Sequence, residues 1–142
     1  PTEAEWEKAA KGPKGHRYGT STGELWENPD REEGRLAHFN QNSTEVVGKY
    51  PANGYGLFDM AGNVWQWVLD WYKSGYGPSG RNPKGPNKPQ QEDDRWKVRR
   101  GGSWNINPQD FLRAAYRDYR PPGDDRTINV GFRVVVAQDF PE

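Results

Sequence analysis

Apolar and polar residues alternate most regularly over residues 64–71. Every second position there carries a bulky apolar side chain, namely Trp65, Trp67, Leu69 and Trp71. A period of two is typical of a β-strand with one apolar face, so this segment predicts a strand. The preceding residues 53–63 include Gly54, Gly56 and Gly62. Because glycine adopts a positive φ without penalty, these residues predict a tight loop that leads into the strand.

The N-terminal residues carry the signals of a short helix. Thr2 followed three residues later by Glu5 forms a capping box, in which each side chain accepts a backbone N–H of the first turn. Gly12 followed by Pro13 ends the helix. The apolar stripe consists of Trp6, Ala9 and Ala10. The pattern therefore predicts a helix that packs against the rest of the chain.

Three further segments predict strands: Trp96–Arg99, Arg113–Arg117 and Val130–Val136. In the last segment, one face of the strand is formed by Val130, Phe132, Val134 and Val136. Long stretches without periodicity separate these segments, and helix is concentrated near the N-terminus. Short strands joined by long loops, with little helix, predict an α+β fold.

Composition changes this picture in four ways. Only 32% of the 142 residues are hydrophobic, but 13% are aromatic, so rings compensate for a small aliphatic core. The formal net charge is zero, which gives no electrostatic reason to expect a nucleic-acid partner. No stretch is long and apolar enough to predict a membrane span. The sequence contains no cysteine, which excludes disulfides, thiolate metal sites and thiol catalysis by this chain.

Four blocks of sequence together resemble the formylglycine-generating enzyme (sulfatase-modifying factor) family. They are PTEAEWEKAAKG at Pro1–Gly12, NGYGLFDMAGNVWQWVLDWY at Asn53–Tyr72, RRGGSW at Arg99–Trp104 and GFRVV at Gly131–Val135. The resemblance implies a C-type-lectin-like fold, a small twisted antiparallel sheet with long irregular loops, in one domain over residues 1–142. Family members usually carry an N-terminal portion before the first block. We therefore expect such a portion upstream of Pro1, the alternative being a minimal version of the domain.

The resemblance also implies which chemistry is missing. Enzymes of the family bind copper(I) through two cysteines, which would fall near Ile106 and near Asp110–Phe111 of this chain. Copper(I) prefers soft ligands, and the one thioether, Met60, cannot form a site alone. We expect no copper and no formylglycine synthesis by this chain. An accessory or cap part of a metal-dependent oxidase or sulfoxide synthase of the same family, and a purely structural subunit, remain alternatives.

Calcium is the cofactor that the resemblance implies. It places side-chain oxygens at Asp59 and Gln66 and backbone carbonyls at Gly62 and Val64 around the ion. An all-oxygen set suits Ca²⁺. The family usually has glutamate at the position of Gln66, so this chain has lost one charge there. The alternative is a turn in which Asp59 caps local N–H groups.

The C-terminal loops are the candidate binding surface, because they mix rigid aromatic with adaptable polar residues, as paratopes do. This stretch also resembles the variable regions of proteins that retroelements diversify. The partner is expected to be a protein or another ligand, and a homo-oligomer remains open, as does an undiversified surface. The candidate residues are Trp104, Asn105, Ile106, Asn107, Asp110, Phe111, Tyr116, Asp118, Tyr119, Arg120, Thr127, Ile128 and Asn129.

Overall fold

The computed structural model describes residues 1–28, 30–31, 33–75, 80, 83–89, 95–123 and 127–136. One helix, six strands and a short 3-10 helix at Gln109–Leu112 make up its regular structure. In chain order the others are α1 (Glu3–Lys11), β1 (Trp26–Asn28), β2 (Glu33–Arg35), β3 (Trp65–Trp71), β4 (Lys97–Arg100), β5 (Asp118–Arg120) and β6 (Val130–Phe132). Among the described residues, no helix has the length and apolar character needed to cross a membrane.

Helix α1 confirms the sequence prediction. The Thr2 hydroxyl accepts from the Glu5 amide at 3.3 Å, and the Glu5 carboxylate accepts from the Thr2 amide at 2.8 Å. Both halves of the capping box are therefore present. Gly12, with φ of 65°, ends the helix in a conformation that favours glycine. Trp6 and Ala10 of the predicted stripe are buried, so the helix packs through the expected face.

The four-stranded sheet has the order β5-β4-β3-β6, and β1 and β2 form a separate antiparallel pair. Strands β3, β4 and β5 are antiparallel neighbours. Strand β6 runs parallel to β3, so the sheet is mixed and not antiparallel throughout. The α+β class is confirmed, and the arrangement fits the fold of the formylglycine-generating enzymes.

Strand β3 is formed as predicted, but its most buried face is the one that carries polar residues. Gln66, Val68 and Asp70 are each at most 5% exposed, whereas Leu69 is 65% exposed. The polar groups are buried because helix α1 satisfies them: the Asp70 carboxylate, for example, accepts from the Glu3 amide at 2.6 Å. On the other face, cations cover two of the indoles, with Lys97 over Trp71 at 4.7 Å and Arg99 over Trp65 at 5.1 Å.

Two core clusters lie beneath these elements. The larger one joins the β1–β2 region to the 3-10 helix through Tyr18, Leu25, Trp26, Ala37, Phe39, Ala61 and Leu112. The other lies between α1 and the sheet and contains Trp6, Ala10, Met60, Val68, Val98 and Ala114. Aromatic rings contribute to both clusters, as the composition indicates.

Two strand predictions in the C-terminal part are wrong in place or extent. Arg113–Arg117 is not a strand; the neighbour of β4 is Asp118–Arg120, one step further along the chain. The reason is that Arg113 and Ala114 pair with the distant residues Tyr18 and Arg17, in an isolated bridge and a backbone hydrogen bond. The Trp96–Arg99 prediction is nearly right, since β4 begins and ends one residue later.

The prediction for Val130–Val136 is also corrected. Strand β6 ends at Phe132, and the face shared by alternate residues is largely solvent-exposed: Phe132, Val134 and Val136 are 75%, 81% and 91% exposed. The next residue, Arg133, donates to the Gln66 side chain in β3 and to the Phe58 carbonyl in the loop before it. Alternation of apolar residues indicates a strand, but it does not show that a neighbouring layer covers the face.

Candidate functional site

The last part of the loop before β3, residues 59–63, contains three residues in the left-handed conformation. Asp59, Gly62 and Asn63 have φ of 55°, 78° and 64°. Asparagine and aspartate tolerate this region better than other residues with side chains, and glycine adopts it freely. The loop is closed against neighbours by two backbone bonds of 2.8 Å, from Asn63 to the His38 carbonyl and from Gly62 to the Gly101 carbonyl. It is therefore a packed element and not a surface excursion.

The four predicted calcium ligands line one cavity of about 540 Å³, together with Phe132 and Arg133. The Asp59 carboxylate accepts from the Gly48 amide at 2.8 Å, a backbone N–H that lies 11 residues earlier in the chain. Gln66 as a residue is 4% exposed. Its side chain has hydrogen-bond partners at both ends. Its amide nitrogen donates to the Asp59 carbonyl at 2.7 Å. Its oxygen accepts from Trp6 at 2.9 Å and from Arg133 at 2.6 Å.

These contacts are a poor fit for calcium at Gln66. A calcium site needs about six to eight oxygen atoms. The oxygen of Gln66 already accepts two hydrogen bonds, and its other end presents an N–H donor to the loop. Burial lowers the pKa of Arg133, and the negative charge of Asp59 opposes that shift. Calcium binding itself stays a prediction.

The C-terminal candidate residues fall into separate groups. Five of them are linked to one another, either directly or through the buried residues Trp65 and Arg99, and we call this group the Tyr116 face: Asn105, Phe111, Tyr116, Asp118 and Asn129. The ring of Tyr116 lies 4.7 Å from that of Phe111, centroid to centroid. Asn129 donates to the Asn105 side chain at 3.0 Å. Burial, with a smaller contribution from Asp118, raises the pKa of Tyr116, which keeps its hydroxyl protonated as a donor.

Two buried residues that the sequence analysis did not select support the Tyr116 face from below. The Trp65 ring lies 6.2 Å from that of Tyr116, and the Trp65 amide donates to the Asn129 carbonyl at 2.8 Å. Arg99 packs over Trp65 and donates to the Asp118 carboxylate at 2.5 Å. The antiparallel pairing of β3 with β4 brings these two residues together. The sequence pattern does not specify that pairing, so it could not identify them.

Tyr119 lies in a different cluster. Its ring stacks on Trp96 at 4.7 Å and on Tyr72 at 3.8 Å, and Arg117 lies over Tyr72. Successive residues of a strand point to opposite faces, so Tyr119 is separated from its neighbour Asp118 in β5. The structure therefore does not bring Tyr119 to the Tyr116 face.

The remaining candidates surround the face or belong to the core. Ile106 packs against the larger core cluster, and Trp104 is tied through its backbone to Asn63 and Gln41. Asp110 pairs with Arg17 at 3.1 Å, and Arg120 lies 3.6 Å from the Asp118 carboxylate at the edge of the face. Three others are exposed to solvent: Asn107, Thr127 and Ile128.

Two polar atoms at this end of the domain are buried without a hydrogen-bond partner in the part of the chain that the structure describes. They are the indole nitrogen of Trp104 and the side-chain oxygen of Asn129. Buried polar groups in native proteins nearly always have a partner, so such orphaned atoms mark places that water or a ligand completes. Within the described residues, no group of three or more His, Asp or Glu side chains is placed to hold a metal ion.

Comparison with known proteins gives three results in agreement with this geometry. Residues 1–138 match the family described as "Sulfatase-modifying factor enzyme 1-like domain". The chain is 42% identical to the serine/threonine-protein kinase Pkn1 of Chlamydia trachomatis, over 98% of this chain and 21% of the kinase. It is 36% identical to the formylglycine-generating enzyme of Streptomyces coelicolor, over 99% of this chain and 47% of that enzyme.

Among solved structures, Treponema denticola variable protein 1 superposes with a TM-score of 0.73 at 31% identity. The match covers 93% of this chain and 45% of the variable protein. The chain thus spans less than half the length of each of these relatives.

Proposed function

Because the chain belongs to the sulfatase-modifying factor enzyme 1-like domain family, we propose that it is a non-catalytic member that binds a protein or other ligand through the Tyr116 face. The observation that carries the proposal is the connected set of aromatic and polar side chains on that face, supported by the buried pair Trp65 and Arg99. The absence of cysteine supports the non-catalytic part, since a copper(I) site needs soft ligands.

The Tyr116 face has the properties of a binding hot spot. Phe111 and Tyr116 offer large ring surfaces with few rotatable bonds, and Asn105 and Asn129 offer adaptable hydrogen-bonding groups. Because Trp65 and Arg99 hold Tyr116 and Asp118 from beneath, little side-chain entropy remains to be lost on binding. A preorganised surface of this kind suits a macromolecular partner better than a small ion.

The lengths of the relatives support a modular role. The same domain accounts for about a fifth of a protein kinase and less than half of a formylglycine-generating enzyme. A domain that occurs within proteins with such different names is expected to serve as a binding module when it lacks catalytic groups of its own. Formation of formylglycine by this chain from a cysteine-containing peptide would contradict the proposal and favour the enzymatic alternative.

Removing the rings of the Tyr116 face is expected to weaken binding strongly with little effect on folding. Peptides selected from a random display library on the wild-type chain should bind Phe111→Ala/Tyr116→Ala roughly 30-fold more weakly, equivalent to about 2 kcal/mol at a hot spot. Calorimetric titration measures the affinity. The Tyr116 carbonyl that accepts from Arg100 belongs to the backbone and is retained in the variant.

Tyr119→Ala provides the matched control, because it removes a ring of similar size from the other aromatic cluster. It is expected to leave the peptide affinity within about twofold of wild type. This change is well below the loss that removal of one hot-spot side chain causes. Equal losses in both variants, or unchanged affinity in the double variant, would contradict the assignment of binding to the Tyr116 face.

Diversification by a retroelement is the finer part of the proposal. The similarity to a protein named variable protein supports it, as does the clustering of Asn105, Phe111, Tyr116 and Asn129 on one face. Sequencing of the DNA that flanks the gene is expected to show a near-copy of the segment encoding Arg99–Val135, differing at adenines, beside a reverse transcriptase. A flank without such a copy would leave an undiversified binding domain.

A further inference from the structure

The cavity that gathers the predicted calcium ligands is electrically balanced without a metal ion. Among the described residues that line it, only Asp59 and Arg133 carry charge. One carboxylate and one guanidinium sum to zero. A divalent cation would meet one carboxylate and one fixed positive charge, whereas calcium affinity depends on the number of charged ligands. The cavity therefore has no excess negative charge to attract calcium.

The orientation of the Gln66 amide is determined by its neighbours. Trp6 and Arg133 each donate a hydrogen bond to one end of the amide, so that end must be the oxygen. The nitrogen then necessarily faces the Asp59 carbonyl, to which it donates at 2.7 Å. Reversing the amide would place its N–H₂ against two other donors. An N–H group thus occupies the position from which an oxygen would have to reach a cation.

Arg133 connects the two ends of the loop. Its Nε donates to Gln66 at the start of β3, and its Nη2 donates to the Phe58 carbonyl at 2.8 Å, just before the left-handed residue Asp59. We propose that the Arg133 guanidinium and the Gln66 amide together close the loop 58–66 in place of a divalent cation. The domain is a calcium-independent version of the fold, and Arg133 is a positioning residue for this loop.

The first test is the melting temperature of the wild-type chain in a chelator and in millimolar calcium. The same melting temperature in both conditions supports the proposal, because a ligand that binds only the native state must raise it. A higher melting temperature in calcium, or saturable calcium binding in calorimetric titration, overturns the proposal and confirms the calcium prediction instead.

Two variants assign the roles of the side chains. Arg133→Met is expected to lower the melting temperature by about 5–10 °C with or without calcium, since it leaves the buried Gln66 oxygen with Trp6 as a donor in place of two and removes the donor to the Phe58 carbonyl. Arg31→Met, at an exposed arginine, is the matched control and should change it by less than about 2 °C. Equal shifts in the two variants would overturn the role of Arg133.

Gln66→Glu tests why calcium is excluded. The substitution adds a second carboxylate to the cavity and removes the N–H group that faces the Asp59 carbonyl. This variant is expected to gain a calcium-dependent melting temperature that the wild type lacks. Failure to gain any calcium response, with the variant folded, would overturn the inference that the Gln66 amide excludes the ion. Neither result bears on peptide binding at the Tyr116 face, so the two proposals fail separately.

Discussion

Arg100→Met is expected to lower the free energy of unfolding by about 3 kcal/mol, because it removes a fully buried cation shared by two glutamates, which keep only Arg117 and Lys11 as cationic partners. Arg100 is fully buried in β4. Its guanidinium donates to Glu7 and, at 2.6 Å, to the Tyr116 carbonyl, and it lies 3.5 Å from a Glu3 oxygen. Both glutamates belong to α1, so this arginine holds the helix on the sheet. Urea denaturation measures the loss.

A second substitution separates charge from packing. Adding Glu7→Gln to Arg100→Met should recover about 1 kcal/mol, because without Arg100 the largely buried Glu7 carboxylate has only Lys11, at 39% exposure, as its cation. Arg120→Met is the control, since its side chain is 52% exposed and its contact with Asp118 is a surface pair. It is expected to cost less than about 1 kcal/mol. A loss below that value for Arg100→Met would show that the helix is held by apolar packing alone.

Gly62→Ala is expected to lower the free energy of unfolding by at least about 3 kcal/mol, from backbone strain and a steric clash together. A Cβ at this position would lie 2.3 Å from the His38 carbonyl oxygen and 2.9 Å from its carbon, both backbone atoms. The substitution must therefore push apart the loop and the segment that carries His38. The bond from the Asn63 amide to the same carbonyl should be lost, which amide hydrogen exchange of Asn63 reports.

Gly56→Ala is the matched control. Gly56 has φ of 76°, close to the 78° of Gly62, but a Cβ there meets no atom within 4 Å. Only the cost of the left-handed conformation applies, about 1–2 kcal/mol. The difference between the two variants therefore isolates the clash with His38. Losses of equal size would mean that the contact between the loop and residue 38 relaxes without cost.

Part of the candidate site could be predicted from residue types alone. Asp59, Gly62 and Asn63 are the residue types that accept positive φ, and the loop forms where they occur. The predicted metal ligands do share one cavity. What the pattern did not reveal is Arg133, which reaches Gln66 from 67 positions away. A ligand set deduced from one segment cannot include the side chain that another segment brings to it.

The candidate binding surface shows the same division. Asn105, Phe111, Tyr116, Asp118 and Asn129 were candidates by type, and the structure brings them together. Tyr119 was a candidate on equal grounds but lies with Trp96 and Tyr72. The reason is that Asp118 and Tyr119 are successive residues of β5 and point to opposite faces of the sheet. Residue type alone does not indicate which face a side chain joins.

The sequence by itself determined the local elements and the excluded chemistry. The capping box of Thr2 and Glu5 specifies where α1 begins, the alternation over residues 64–71 specifies β3, and the lack of cysteine excludes thiol chemistry. These properties depend on bonded neighbours or on composition. Tertiary structure alone decided that β3 buries Gln66 and Asp70 and that β6 runs parallel to it. Burial and pairing depend on partners far along the chain, such as α1 and Arg133, which satisfy polar groups that local patterning would place in water.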